Sequence, residues 1–117
     1  MSENCHYLSF PDSEILDWKL NLHRKTLEIL VDEAIFDDDL NVRRLPGGLL
    51  TISDWEALEV RSYAGQSENR EALVDMIDVH FDENMVRLRG MGLQSNEMVD
   101  WIFTRAAYSF VPSSPNT

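Results

Sequence analysis

The residues best equipped for chemistry are carboxylates, and Asp37, Asp39 and Asn41 have the most suggestive spacing. They match positions one, three and five of a calcium loop, where oxygen donors alternate along a tight turn. The match then stops. The sixth position requires a glycine and holds Val42; the twelfth requires a bidentate Glu and holds Gly48. An acidic turn capping a hairpin is the better reading, with room for a weak cation site. The three histidines, His6, His23 and His80, are never three or four residues apart, and no HExxH occurs. The single cysteine, Cys5, rules out a cysteine-rich zinc site and an intramolecular disulfide. Gly90-Met91-Gly92 lacks the third glycine of a dinucleotide loop, and the chain has neither a phosphate loop nor a GxSxG elbow. Carboxylate pairs are plentiful, but glycosidase chemistry needs a set separation across a cleft. The sequence therefore predicts no catalytic residue, no metal and no cofactor, and favours a binder over an enzyme.

Charge narrows the partner. The 117 residues carry a formal charge of −11. Nucleic-acid backbones and anionic membrane surfaces repel such a chain, so neither is an expected partner. Residues 12–39 hold nine acids against three bases, and residues 54–83 hold nine against two. Between them, 40–53 carries only Arg43 and Arg44. The two acidic segments form either two solvated faces or one surface turned toward a basic protein. The start, MSENCHYLSF, is no secretory signal, and no apolar stretch approaches a bilayer span. The expected location is the cytoplasm.

The elements that must position these groups read as strands. Leu16, Trp18, Leu20 and Leu22 alternate with polar neighbours, as do Leu27, Ile29 and Val31. His23-Arg24-Lys25 joins these two strands into a hairpin. Pro46-Gly47-Gly48 marks a turn, followed by strands over 49–53 and 56–63. A short helix over 69–74 precedes a strand over 76–81, and Asp82-Glu83-Asn84 turns the chain into a strand that Gly90 and Gly92 end. Val99, Trp101 and Phe103 mark a last strand running to about Phe110. The result is a mainly β chain: an antiparallel meander of about eight strands, closed into a sandwich or flattened barrel, with at most one short helix. Residues 1–111 form one domain and 112–117 a frayed tail. Trp18, Trp55, Trp101, Phe81 and Phe103 are the expected core.

Three stretches look familiar together: YLSFPDSEILDWKLNL at 7–22, GGLLTISDWEALEVRSY at 47–63 and MVRLRGMGLQSNEMVDWIF at 85–103. Their order resembles a group of small β-rich bacterial proteins, many of them immunity proteins of polymorphic-toxin or contact-dependent competition systems. Arg87 and Arg89 depart from that group by making the late hairpin basic. The resemblance implies a protein that binds a cognate, basic toxin domain and blocks it. The acids offered for this role are Asp32, Glu33, Asp37, Asp38 and Asp39 at the end of the first hairpin. A second patch would hold Glu56, Glu59, Asp75, Asp78, Asp82 and Glu83. The alternatives are a scaffold that self-associates as a homodimer through exposed strand edges, and a small-ligand barrel lined by the tryptophans.

Overall fold

The computed structural model describes residues 8–10, 13–62 and 72–113. Cys5, His6 and residues 69–71 of the expected helix lie outside them. Among the described residues eleven strands occur in order: β1 (Leu8–Ser9), β2 (Ser13–Asn21), β3 (Thr26–Val31), β4 (Ala34–Asp37), β5 (Val42–Leu45), β6 (Gly48–Ser53), β7 (Ala57–Ser62), β8 (Leu73–Asp82), β9 (Met85–Gly92), β10 (Met98–Thr104) and β11 (Ala107–Pro112). The described residues contain no helix, and every pairing is antiparallel. A small sheet has the order β1-β4-β5, and the main sheet the order β11-β6-β3-β2-β8-β9-β10-β7.

The main sheet folds into two facing halves. β2 meets β8 through only two residue pairs, Ser13 with Met76 and Glu14 with Asp75. Beyond that seam, rings from strands that are not neighbours touch. Trp18 on β2 stands edge-on to Trp101 on β10 at 5.1 Å, and Phe81 on β8 lies 5.0 Å from Tyr108 on β11. Offset and edge-to-face ring pairs contribute about 0.5–1.5 kcal/mol beyond their area. The architecture is a sandwich, or flattened open barrel, as the alternation predicts.

Strict two-residue periodicity builds the core. Leu27, Ile29 and Val31 on β3 and Leu50 and Ile52 on β6 are buried, with half-buried residues between them. Val86 and Leu88 on β9, and Val99, Trp101 and Phe103 on β10, supply the opposite half. Trp55 is buried against Phe103 at 5.0 Å. The expected aromatic core is therefore present, with Trp18 half-buried at its margin.

Several boundaries differ from the sequence reading. Leu73 and Val74, assigned above to a helix, begin β8. β8 slips register between Leu73 and Asp75 and again between Met76 and Asp78. These bulges place buried Leu73 and Met76 three residues apart, the spacing of one helical face. Gly90 and Gly92 do not end β9, which runs through both. The last strand is two strands: Arg105, at φ 54°, turns the chain between β10 and β11. Nor is the order a simple meander, because β6 to β7 and β10 to β11 cross from one half to the other. Pro112, placed in the tail by the sequence reading, belongs to β11. Pro112 pairs with Gly48, and the Ser113 N–H donates to the Gly47 carbonyl at 3.0 Å.

Candidate functional site

The β4–β5 hairpin carries the most distinctive surface. Asp37, Asp38 and Asp39 lie at its tip, where sequence reasoning placed an acidic turn. The carboxylates of the first two tie down the backbone. Asp38 Oδ1 accepts from the Leu40 N–H at 3.0 Å and the Asn41 N–H at 2.7 Å, while Asp37 Oδ1 accepts from the Asp39 N–H at 3.0 Å. Asp39 adopts φ 72°, a left-handed conformation that Asp tolerates better than most side chains. This fixed turn projects Leu40, 87% exposed, and Val42, 71% exposed, into solvent. They are the two most exposed large apolar side chains among the described residues. Behind them, the Arg43 guanidinium sits 4.7 Å over the Phe36 ring, and Arg44 pairs with Glu33 at 3.6 Å. Arg43 and Arg44, the only charges between the two acidic segments, thus each engage a nearby side chain.

The other candidate acids are mostly engaged elsewhere. Asp32 Oδ1 accepts from the Glu14 N–H at 2.9 Å, which closes the irregular start of β2. Glu56 pairs with Arg105 at 2.9 Å, Glu59 pairs with Arg61, and Asp78 lies 3.6 Å from Arg87. Asp75 Oδ1 accepts from the Met91 N–H at 3.2 Å, and Asp82 Oδ1 from the Glu83 N–H at 2.8 Å. The second patch is thus an ion-paired sheet face and a turn. The two acidic segments adjoin at the seam, where Glu14 stands opposite Asp75, while Asp37 belongs to the small sheet and Asp78 and Glu59 to the main one.

The register explains why the late arginines matter. Asp78, Arg89, Asp100 and Arg61 stand side by side across β8, β9, β10 and β7, so charge alternates in one row. Arg89 holds Asp100 with two bonds, Nε to Oδ1 at 2.9 Å and Nη2 to Oδ2 at 3.3 Å. Asp100 is only 6% exposed. Its partner could not be read from the sequence, because the two residues are brought together only by the strand register.

The outer face of the other half is unlike this. β2, β3, β6 and β11 present Leu30, Leu49 and Val111 in one row and Lys19, Glu28, Thr51 and Ser109 in the next. Two adjoining shallow depressions, of about 450 and 180 Å³, share Lys19 and Glu28.

No family model, curated protein or solved structure matches this chain. The site must therefore be judged on its own chemistry. Among the described residues, no group of three or more His, Cys, Asp or Glu is placed to hold a metal ion. Of the half-matched calcium loop, Asp37 already accepts from the Asp39 N–H through Oδ1. Trp18, Trp55 and Trp101 pack into the core rather than around a ligand. No helix among the described residues is long and apolar enough to cross a membrane.

Proposed function

We propose that the chain is a non-enzymatic, immunity-type protein that binds and neutralises a basic toxin domain in the cytoplasm. The observation that carries this reading is the β4–β5 tip: an apolar Leu40, 87% exposed, held on a hydrogen-bonded turn between three aspartates and Asn41. A rigid turn loses little entropy on binding, and an apolar side chain that becomes fully buried at an interface contributes about 1.5–3 kcal/mol. The aspartates speed encounter with a basic surface, and Leu40 sets the residence time. The paired acids of the second patch contribute little, since Arg61, Arg87 and Arg105 already neutralise them.

Co-expression with the product of the adjacent gene tests this. That product alone should arrest growth, and this chain should restore it. Leu40→Ser should weaken the complex by about tenfold or more. A harmless neighbour, or one that stays lethal beside this chain, overturns the reading.

A further inference from the structure

β2 and β8 join through two residue pairs only, and one of these sets two carboxylates against each other: Glu14 stands opposite Asp75. Like charges directly opposite on paired strands are destabilising. Neither residue forms an ion pair among the described residues. Past Glu14 the two strands pair no further, and a depression of about 210 Å³ opens there. Ile15, Leu16 and Trp18 line it from β2, and Leu73 and Val74 from β8, with Leu93 just past β9. Leu16 is 55% exposed and Leu93 62%. The apolar surface continues from Leu93 to Met91, which registers with Met98 on β10; both methionines are half-buried. Methionine suits surfaces that adapt to a partner's side chains. The lining and the two seam pairs hold Glu14, Asp17 and Asp75 and no base. Lys19 pairs with Asp17 at 3.7 Å, so the unmatched charge is that of Glu14 and Asp75.

We propose that this groove docks a segment of a partner protein in which an aromatic or large aliphatic side chain adjoins a lysine or arginine. The volume suits the apolar part. A cavity of about 150 Å³ accepts a benzene ring, so 210 Å³ has room for one such side chain. The charge suits the cation. An ammonium or guanidinium seated at the seam meets both Glu14 and Asp75 and offsets the repulsion between them. An acidic segment is repelled there, and a neutral one leaves the repulsion in place. The same pattern sets this place apart from the two sheet faces. On the β8-β9-β10-β7 face, Asp78 stands beside Arg89, and Asp100 between Arg89 and Arg61. On the β11-β6-β3-β2 face, Lys19 stands opposite Glu28. Unlike charges meet in those rows, whereas like charges meet at the seam. The β4–β5 tip belongs to the other, smaller sheet, so the groove stands or falls independently of the toxin reading.

Amide and indole NMR shifts of the full chain, titrated with capped tripeptides, test the proposal. Acetyl-Lys-Phe-Lys-amide should shift Leu16, Trp18, Val74 and Leu93 with a dissociation constant near millimolar, and added salt should weaken it. Acetyl-Glu-Phe-Glu-amide and acetyl-Lys-Ala-Lys-amide should each bind at least about fivefold more weakly, the first for want of a cation and the second for want of a ring. Glu14→Gln should weaken the lysine peptide about threefold and raise Tm slightly, because two charged carboxylates no longer oppose each other. Leu16→Ser should weaken it about fivefold. If that variant disturbs β2, Leu93→Ser should do the same. Leu40→Ser should leave binding unchanged. Absence of shifts at these residues, equal binding of the glutamate peptide, or indifference to Glu14→Gln and to the leucine variants overturns the proposal. So do shifts of the same residues when the chain alone is concentrated, which would mean that a second copy fills the groove.

Discussion

Gly90→Ala should be among the most damaging single-methyl changes in this protein. Gly90 lies inside β9, beneath the stretch of β8 where the chain bulges twice. A Cβ there would fall inside the envelope of the Asp75 carbonyl oxygen, and also 3.2 Å from the Asp75 carbonyl carbon and 3.1 Å from Leu73 Cδ1. The oxygen and carbon belong to backbone, so no rotamer change relieves the clash. β8 would have to move away by on the order of 1 Å to restore normal contact. That displacement opens the Met91 N–H to Asp75 carboxylate bond and loosens the seam where Asp75 meets Glu14. Overpacking against a fixed neighbour costs about 1–3 kcal/mol, and a backbone clash belongs at the upper end. For a domain of this size about 3 kcal/mol lowers Tm by roughly 9–15 °C. Thermal unfolding by circular dichroism measures it, with amide exchange at Met91 reporting the local opening. A fall of less than about 3 °C would mean that the bulge does not sit over Gly90.

Further outcomes follow from the same contacts. Arg89→Ala should cost about 2–4 kcal/mol in urea unfolding, because it leaves the nearly buried Asp100 without its two-bond partner, whereas Arg105→Ala, losing an exposed pair with Glu56, should cost less than about 1 kcal/mol. Trp101→Ala should cost about 3–5 kcal/mol and abolish the near-ultraviolet dichroism of the Trp18–Trp101 pair; an unchanged spectrum would contradict the edge-on contact. Asp38→Ala removes two bonds to the hairpin backbone and should speed amide exchange at Leu40 and Asn41 at little cost to global stability, about 1 kcal/mol.

What the sequence discloses here is whatever local alternation encodes. The β2–β3 hairpin is legible because β3 alternates strictly and the turn is polar; β2 shows it less, since a bulge after Ile15 leaves Leu16, expected on the apolar face, 55% exposed and Trp18 and Leu20 half-buried. The acidic tip is legible because Asp and Asn favour such turns. β4 and β5 are missed as strands: four residues each are too few to show a period, and Ile35 and Phe36 are adjacent apolar residues. Bulges hide the start of β8, whose later part reads as the strand over 76–81, since an extra residue turns a two-residue period into a three-residue one. Gly90 reads as a breaker because only the structure reveals the carbonyl that needs its missing side chain. The break at Arg105 lacks any Gly, Pro or Asn signal. For the site, the tip acids are found and the Arg89–Asp100 pair is not, because register is a property of two strands and belongs to neither alone.

The crossing from β10 back to β11 has a consequence for how the protein is made. β11 completes the edge beyond β6, and its Phe110 packs 5.5 Å from Phe10 near the start of the chain. During synthesis β6 therefore keeps one edge open until β11 has emerged, although the facing strands β8, β9 and β10 are already made. Chaperone contact should concentrate in that interval, and a chain stalled after β10 would retain the acidic tip without the finished scaffold that holds it.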